Sequence, residues 1–504
     1  MSRAQSTRCM LLLVDGLRRD VAEAELAAGA LPHLARMVNE GGRACAITAF
    51  PSTTSVAYLP FLTGCTPGRC DVPSIRWLDR TRYDGRWWRG RAALRSYCGY
   101  QAPMLDGDIA PDVSTIFELV PGSVGLFTPV ARGLGPAGDP TRVARKFWGT
   151  VSHYAQWHQP GDDAVARHLL VAADGPARFI FAQFPAVDGY THQRGHDSAE
   201  VRRALGRVDA TVGRLTERLR VRGELERTLI LLVSDHGASP VRTHLDLADW
   251  FRARGVRTLA HPTVWVRDPQ VAVMVAGNGS AMVYARPGVP RARRWPLAAL
   301  RSVAFVAALL AEPAVDLVAA EEENGAVRVA SQGGEAELWR READGGVEID
   351  YRPLTGDPLG IGGAWTASAR EWLDATWDSP RPDAAYQLVD QFRSPRTGDL
   401  VVTARPGYDF RHRWEIPTHR AGHGSLTRDH MQTPLWANVP LPDGPFRTVD
   451  LFPAMLEWLG VPMAAAIDGD ARWHPPRAAD DADRATESAR SDALVVSKPT
   501  GPWS

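Results

Sequence analysis

Two adjacent residues that could bind a metal follow a strongly apolar segment near the middle of this 504-residue chain. Asp235 and His236 come after Ser234 and the run Thr-Leu-Ile-Leu-Leu-Val, and Gly237 follows them. Such a run is typical of a parallel strand buried on both faces, and ligands of open α/β sheets bind beyond the carboxyl ends of the strands. Aspartate and histidine supply the oxygen and nitrogen ligands that suit zinc. Taken alone, the pattern fits a metal site no better than it fits an aspartate that caps a helix beside an ordinary loop histidine.

Three further segments present the same residue types in comparable places. Asp15 ends another apolar run, Asp188 follows a third, and His192 comes four residues after Asp188. If a loop here turns into a helix, the side chains of Asp188 and His192 can face one cation. His423 lies between two glycines late in the chain. With the first pair, these residues make three aspartates and three histidines, enough for two four-coordinate zinc sites.

A nucleophile is the remaining requirement, and the segment from residue 50 to 64 contains several hydroxyl groups. Ser52, Thr53 or Thr54 could cap a helix that begins here, because their oxygens can accept the first free N–H groups. A hydroxyl at a helix N-terminus also lies where anions bind well. A threonine hydroxyl is a poor nucleophile near neutral pH, and metal coordination is one way to activate it.

The ordered set of motifs resembles the alkaline phosphatase superfamily, most closely its nucleotide pyrophosphatase/phosphodiesterase branch. That family has a strand-end aspartate and then a Thr or Ser nucleophile ten residues before a Thr-Gly pair. Asp-x-x-x-His, Ser-Asp-His-Gly and a late His-Gly come next. The matching segments here run from about residue 9 to 240 and from about 420 to 460, and Thr54 stands ten residues before Gly64.

The resemblance implies a mechanism and a ligand set. It implies two zinc ions and a phosphothreonine intermediate on Thr54, which water then hydrolyses with overall retention of configuration at phosphorus. The substrate would be a small molecule with a phosphodiester or pyrophosphate bond. The residues implied for one zinc are Asp15, Asp235, His236 and Thr54, and those implied for the other are Asp188, His192 and His423.

One position departs from the family pattern. The phosphodiesterase branch has an asparagine about twenty residues after the nucleophile, which donates to a phosphoryl oxygen; Ile75 stands there in this chain. The adjacent Arg76 could replace it as a charge-assisted donor, or could be a surface arginine stacked on Trp77. Tyr190, between Asp188 and His192, could line the substrate pocket or serve only in packing.

Two more histidines lie near the predicted ligands. His419 precedes His423 by four residues, and His244 follows the Asp235–His236 segment. Either could bind substrate or orient a metal-bound carboxylate, or be a loop histidine with ordinary hydrogen bonds. His423 is preferred as the ligand, because it carries the following glycine of the family pattern.

Composition indicates a large soluble enzyme. Lys plus Arg and Asp plus Glu number 58 each, so no excess of basic residues suggests a nucleic-acid partner. The longest apolar runs are shorter than a membrane helix requires, and no signal peptide is recognisable. The five cysteines show no C-x-x-C pairing, which argues against a zinc ribbon and a disulfide framework. These features predict a cytoplasmic protein.

Strands that alternate with helical stretches predict an α/β fold with a doubly wound, mainly parallel sheet and helices on both faces. We expect a catalytic core from residues 1–238 and 421–472, an inserted α+β cap over 239–420, and a disordered tail over 473–504. Predicted helices cover 200–222, 244–252, 296–310 and 446–459. Predicted strands include a pair at 271–276 and 280–284, and short strands at 327–330 and 347–351.

Other functions remain open. A phosphomonoesterase or a phosphonate hydrolase could use the same metal site, since the difference would lie in the pocket. A sulfatase needs a Cys or Ser nucleophile followed by Pro-Ser-Arg, which is absent after Thr54. A cofactor-independent phosphoglycerate mutase normally uses serine and manganese. A non-catalytic metal-binding module would have lost part of the site.

Overall fold

The computed structural model describes residues 7–86, 93–289, 291, 293–303, 305–343, 346–415, 417–463 and 466–476. Most of the expected disordered tail, from residue 477 onward, lies outside these residues. The helices are α1 Arg19–Ala27, α2 Pro32–Glu40, α3 Leu59–Thr63, α4 Leu105–Asp108, α5 Ile116–Leu119, α6 Arg142–Ala155, α7 Gln159–Asp174, α8 Ala186–Arg194, α9 Ala199–Val221, α10 Leu247–Arg252, α11 Leu297–Val303, α12 Val306–Ala311, α13 Ala369–Thr376, α14 Ala384–Gln391, α15 Arg428–Met431 and α16 Leu451–Leu459.

The strands form one large central sheet, a second large sheet and two small ones. Their bounds are β1 Arg8–Val14, β2 Gly42–Ile47, β3 Arg76–Leu78, β4 Leu94–Ser96, β5 Val124–Leu126, β6 Phe179–Phe184, β7 Thr228–Val233, β8 Ser239–His244, β9 Thr258–Ala260, β10 Val271–Ala276, β11 Ser280–Ala285, β12 Val315–Glu321, β13 Val327–Ser331, β14 Gly334–Ala343, β15 Gly346–Gly356, β16 Trp365–Ser368, β17 Leu400–Ala404, β18 Gly407–Asp409, β19 Ala421–Gly422, β20 Gln432–Ala437 and β21 Phe446–Arg447.

The central sheet has the strand order β21-β2-β20-β7-β1-β6-β5. Strands β7, β1, β6 and β5 are parallel, whereas β20 is antiparallel to both β7 and β2. Every residue of β1, β6 and β7 is buried, because helices cover both faces. Met10, Leu12 and Val14 pack on the side of α2, α7 and α9, while Leu11 and Leu13 face α3 and α16. The predicted α/β class with a mainly parallel sheet is confirmed.

The second sheet has the order β16-β15-β14-β13-β12-β17-β11-β10-β9 and is antiparallel except for the β9–β10 pair. One of its faces packs against α13 and α14 and the other against α10, α11 and α12. Its strands come from residues 258–404, within the range expected for a cap. The division of the chain into domains stays a prediction.

Several predicted elements differ from the observed ones. The helix expected over 296–310 is two helices, α11 and α12, and Phe305 between them has a left-handed φ of 52°. The helix expected from Phe446 starts only at Leu451, after a short strand and a 3-10 turn. The helix expected from 244 starts at Leu247, since residues up to His244 form β8. The predicted helix over 200–222 and the strand pair β10–β11 are present.

Two further expectations concern membranes and cysteines. In the part of the chain that the structure describes, none of the helices combines the length and apolar character needed to span a bilayer. All five cysteines are among the described residues, and each is free.

Candidate metal centre and catalytic pocket

Neighbouring parallel strands bring the predicted aspartates together at one edge of the central sheet. Asp15 directly follows β1, and Asp235 follows β7, which pairs with β1. Helix α8, which carries Asp188, starts two residues after β6, the other neighbour of β1. Because the strands run parallel, their carboxyl ends share an edge, and the three carboxylates converge there.

A glycine makes the close approach of two of these segments possible. Gly16 has φ +69°, a conformation that favours glycine. A Cβ atom at this position would stand 2.7 Å from both Cβ and Oδ1 of Asp188. The amide of Gly16 also donates to Asp235 Oδ1 at 3.2 Å. This glycine therefore lets the loop after β1 contact the segments that follow β6 and β7.

Helix α8 presents Asp188 and His192 on one side, as the four-residue spacing predicts. Asp188 Oδ2 lies 3.3 Å from His192 Nε2. His423 follows β19. It forms an isolated β-bridge with Asn278, which lies in the turn between β10 and β11. A Cβ on Gly277 of that turn would stand 2.7 Å from His423 Nδ1, so the turn also needs glycine for its close contact.

The three predicted histidine ligands share one hydrogen-bonding arrangement. The Nδ1 atoms of His192, His236 and His423 lie 2.8, 3.0 and 2.9 Å from the carbonyl oxygens of Ala421, Gly237 and Ser52. A carbonyl only accepts, so each Nδ1 carries a hydrogen, which leaves Nε2 as the ring nitrogen that can bind a metal. Metal-binding histidines are oriented in this way.

The candidate ligand atoms form two overlapping groups, each with members within 4.8 Å of one another. One contains Asp188, His192 and His423, and the other contains Asp15, Asp188 and His236. Asp235 Oδ2 lies 3.3 Å from His236 Nε2, next to the second group. The first group has the same residues as the ligand set that the family resemblance implies for one zinc. Asp188 also reaches the other group, so how the carboxylates divide between two ions stays a prediction.

The electrostatics of this cluster favour a bound cation. Burial and the charge of Asp188 raise the pKa of Asp235 to about 8, and burial with the charges of Asp235 and Asp188 also raises the pKa of Asp15. Burial opposes ionisation of Asp188, but His192 outweighs it and lowers the pKa of that carboxyl. One oxygen of Asp188 and one of Asp235 are buried without a hydrogen-bond partner. Carboxylate oxygens that lack a hydrogen-bond partner, beside imidazole Nε2 atoms, fit a divalent metal.

Thr54 meets this cluster directly. Its Oγ1 lies 3.3 Å from Asp15 Oδ1 and 3.2 Å from His236 Nε2. The hydroxyl does not cap a helix: the first helix here, α3, begins at Leu59, and its N-cap residue makes no side-chain cap. Ser55 has a left-handed φ of 74°, so a tight turn separates Thr54 from α3. Of the hydroxyls considered, Thr54 is the one whose hydroxyl contacts the candidate metal ligands.

A cavity of about 750 Å³ opens beside Thr54, and Arg76 lines it. The Arg76 guanidinium donates to Val275 O at 3.3 Å and Ser96 Oγ at 3.4 Å, and lies 3.9 Å from Glu415. The arginines over the Trp77 ring are Arg95 and Arg396, so stacking on Trp77 is not the role of Arg76. The replaced asparagine position, Ile75, belongs to the apolar core.

Tyr190 does not line this cavity, and its position agrees with packing, the second of the two roles open from the sequence. Its ring packs edge-on against His158, 4.9 Å between centroids, and it borders a separate surface cavity with Trp157 and Arg207. The helix explains the difference: residues two apart point to nearly opposite sides, so Tyr190 faces away from Asp188 and His192.

The two competing histidines have different surroundings. His244 Nδ1 lies 2.8 Å from Asp409 Oδ1 at the end of β8, apart from both ligand groups. His419 stacks on His192 with 4.1 Å between ring centroids, and its Nδ1 lies 3.4 Å from Asn278 Nδ2. Burial and the neighbouring His192 lower the pKa of His419, so its ring is neutral beside the cluster.

Sequence reasoning missed the residues that orient the site. Asp15 Oδ2 accepts hydrogen bonds from Tyr58 OH at 3.1 Å and Gln183 Nε2 at 2.6 Å. Gln183 faces Asp15 because it is the penultimate residue of β6, next to β1. The one sequence feature that could have indicated a role for Gln183 is its position in β6, where a polar residue interrupts an otherwise apolar run.

His430 was also missed, and it joins two ligand-bearing loops. Its Nδ1 accepts from the Ser425 amide at 3.0 Å, and its Nε2 lies 2.8 Å from Ser239 Oγ. Its carbonyl accepts from the Gly237 amide at 2.9 Å. Burial, and to a smaller extent the nearby His236, lowers the pKa of His430 to about 3. The ring is therefore neutral, and its Nε2–H donates to the Ser239 hydroxyl. One side chain thus ties the loop after His423 to the loop after His236.

Comparison with known proteins identifies the family of this chain. The model of the family described as type I phosphodiesterase/nucleotide pyrophosphatase matches residues 9–426. No curated protein is similar enough in sequence to count as a match. Among solved structures, murine ectonucleotide pyrophosphatase/phosphodiesterase 5 superimposes with a TM-score of 0.56 at 12% identity, over 92% of this chain and 98% of that one. The human protein of that name gives 0.56 at 12%, over 92% and 97%.

A second kind of relative has the same fold. Phosphonoacetate hydrolase from Sinorhizobium meliloti 1021, in complex with phosphonoacetate, superimposes with a TM-score of 0.54 at 14% identity, over 90% of this chain and 96% of that one. At such identities the likeness concerns the fold alone. The family model, by contrast, spans most of the chain and all the predicted site residues. This chain therefore belongs to the type I phosphodiesterase/nucleotide pyrophosphatase family of enzymes.

Proposed function

We propose that this enzyme hydrolyses phosphodiester or pyrophosphate bonds of small molecules through a covalent phosphothreonine on Thr54, with two zinc ions as cofactors. The observation that carries the proposal is the position of the Thr54 hydroxyl. It touches Asp15 and His236, one group of candidate ligands, and at the same time lines the large cavity. A nucleophile between a metal centre and a substrate pocket is what such chemistry needs.

The metals would be held by the converging carboxylates and imidazoles. One ion would bind Asp188, His192 and His423; the residues for the other are Asp15, Asp235, His236 and Thr54. When bound, two such ions lower the pKa of a coordinated hydroxyl or water and neutralise charge on the attacking and departing oxygens. Tyr58 and Gln183 hold Asp15 in place through hydrogen bonds to its other oxygen.

The reaction would proceed in two displacements on phosphorus. Thr54 Oγ attacks, its bond to phosphorus forms, and the bond to the departing alcohol or phosphate oxygen breaks. The hydroxyl hydrogen of Thr54 ends on the departing group. Water then attacks the phosphothreonine, which releases the phosphoryl product and restores the threonine hydroxyl. Two inversions give overall retention at phosphorus.

The cavity favours a diester over a monoester. A phosphate monoester carries one substituent, its leaving group, beside three phosphoryl oxygens, whereas a diester carries a second substituent that also needs room. Beside Thr54, about 750 Å³ is available, within the range of small-molecule pockets. Its walls include the apolar residues Phe127, Val273 and Phe410 as well as polar ones. A substituent on the reacting phosphorus could therefore be bound here.

A substrate panel tests this function. The purified enzyme with zinc is assayed on bis-p-nitrophenyl phosphate, p-nitrophenyl phosphate and p-nitrophenyl thymidine monophosphate. We expect kcat/KM for both diesters to exceed that for the monoester, and Thr54→Ala to lower kcat about a thousandfold or more for all three esters. Faster hydrolysis of the monoester would assign the enzyme to phosphomonoesters. Phosphonoacetate is assayed in parallel, and its turnover without turnover of any of the three esters would assign the enzyme to phosphonates.

A further inference from the structure

One wall of the catalytic cavity is formed by a single face of helix α6. The residues that this helix contributes are Arg145, Lys146, Gly149, Thr150, His153 and Tyr154. They recur at intervals of four, so they lie along one side of the helix. The face is polar and carries basic side chains, whereas the exposed apolar Val143 and Phe147 of this helix do not line the cavity.

The basic groups on this face have unused hydrogen-bonding capacity. Lys146 is the single lysine among the described residues, and the full sequence has one more, Lys498. Its ammonium group makes no hydrogen bond or ion pair within the part of the chain that the structure describes. The Arg145 Nη1 atom is buried without a hydrogen-bond partner and lies 3.6 Å from Asp139 Oδ2. This wall therefore has cationic donors that can still bind an anion.

The acidic residues of the cavity are engaged elsewhere. The Asp246 carboxylate caps α10, accepting from the Asp249 amide at 3.0 Å, and also accepts from the Arg413 amide at 2.9 Å. Glu415 accepts from Asn278 Nδ2 at 3.1 Å and lies 3.9 Å from Arg76. Neither carboxylate pairs with the basic groups of α6. Asp139, which does not line the cavity, lies within ion-pair distance of Arg145. Lys146 has no carboxylate partner among the described residues, so this wall keeps positive charge that the acidic residues of the cavity do not neutralise.

We propose that Arg145 and Lys146 bind an anionic group on the substrate substituent that does not react, so that the preferred substrate is a phosphodiester with a second negative charge. The anionic group would be a carboxylate or a phosphate, since both offer negatively charged oxygens to the two cations. Arg145 offers a planar donor fork and Lys146 a mobile point charge, a pair that suits either anion. The inference rests on the proposed function, because it assigns the substrate class of the same cavity.

Three matched series of chromogenic substrates provide the test. All are p-nitrophenyl phosphodiesters with the same leaving group; the second substituent is an alkyl chain ending in a methyl, a carboxylate or a phosphate. Chains of increasing length allow the anion to reach α6 across a cavity on the order of 10 Å wide. The measured quantity is the ratio of kcat/KM for each anionic substrate to that for the methyl-terminated one. The carboxylate and phosphate series distinguish the two anions.

We expect the wild-type ratio to exceed one and to fall as salt concentration rises, because salt screens partly exposed charges. Lys146→Glu should lower the ratio about tenfold, since repulsion replaces attraction, and Lys146→Arg should largely preserve it. Arg142→Ala is the matched control: it removes a cation from the same helix outside the cavity, and should leave the ratio at the wild-type value.

The outcomes separate this inference from the proposed function. If the wild-type enzyme hydrolyses the methyl-terminated diester but shows no preference for either anion, the substrate class proposed here is wrong and the phosphodiesterase activity stands. The same conclusion follows if Lys146→Glu keeps the wild-type ratio. If the enzyme hydrolyses none of the diesters at any length, the proposed function itself fails.

Discussion

The backbone of Gly16 lies against the side chain of Asp188, and no other residue fits there. A Cβ on Gly16 would stand 2.7 Å from the Asp188 Cβ and Oδ1 atoms. Asp188 belongs to both groups of candidate ligands. The loop after β1 therefore helps to fix the one carboxylate that both groups share.

This contact gives the first prediction. Gly16→Ala should displace Asp188 and lower metal affinity about tenfold or more, as measured by competition with a chelating dye. The control is Gly29→Ala, because Gly29 has a similar φ of +72° and nothing within 4 Å of an added Cβ. Both variants carry backbone strain of about 1 kcal/mol. Equal metal affinity in the two variants would show that strain, and not contact with Asp188, is what matters.

The second prediction concerns metal content. Elemental analysis should find close to two zinc ions per chain, and chelation should abolish activity and lower the melting temperature, because a metal that binds only the folded state stabilises it. His423→Ala should lose metal, whereas His244→Ala should keep it, since His244 pairs with Asp409 away from both ligand groups. Metal-free protein with full activity in chelator would exclude this account of the cofactor.

The third prediction concerns Arg76. Its guanidinium lines the cavity beside Thr54, where it could stabilise negative charge on a phosphoryl oxygen. Arg76→Ala should lower kcat/KM roughly ten- to a thousandfold, and Arg76→Lys should recover part of it. Zinc content and thermal melting should stay near those of the wild-type enzyme. Arg82→Ala, an exposed arginine nearby paired with Asp79, serves as control. Unchanged kcat/KM in Arg76→Ala would exclude a role in binding phosphate.

The fourth prediction concerns His430, which joins the loops after His236 and His423. His430→Ala should weaken zinc binding about ten- to a hundredfold, the usual cost of losing a group that orients ligands. His430→Gln should restore part of the affinity, because an amide can both accept from the Ser425 amide and donate to Ser239. If both variants lose thermal stability but keep wild-type zinc affinity, His430 serves the fold alone.

Much of the site could be predicted from local sequence. Asp15 and Asp235 end continuous apolar runs, and parallel pairing of those runs is enough to bring the two carboxylates together. The four-residue spacing of Asp188 and His192 likewise places both on one side of a helix. The choice of Thr54 depended on the family resemblance, because the hydroxyls of this segment look alike by composition.

The remaining features depend on contacts between distant segments. His430 and Gln183 acquire their roles only when separate loops and strands meet. In the second sheet, β14 was missed because only two of its ten residues are buried, which leaves no clear alternation of apolar residues. A pocket role for Tyr190 was considered because it lies between Asp188 and His192 in sequence. The helix turns its side chain to the other side, where it borders a separate cavity.

The most direct test of the account is a search for the covalent intermediate on Thr54. Enzyme is mixed with a diester substrate, quenched in acid within one turnover, digested and analysed by mass spectrometry. We predict that Thr54 carries the phosphoryl group with its remaining substituent, and that Thr54→Ala gives no adduct and loses about a thousandfold or more in kcat. Thr54→Ser should keep part of the activity and form the adduct on serine. An active Thr54→Ala variant, or an adduct on Thr53 instead, would contradict the account.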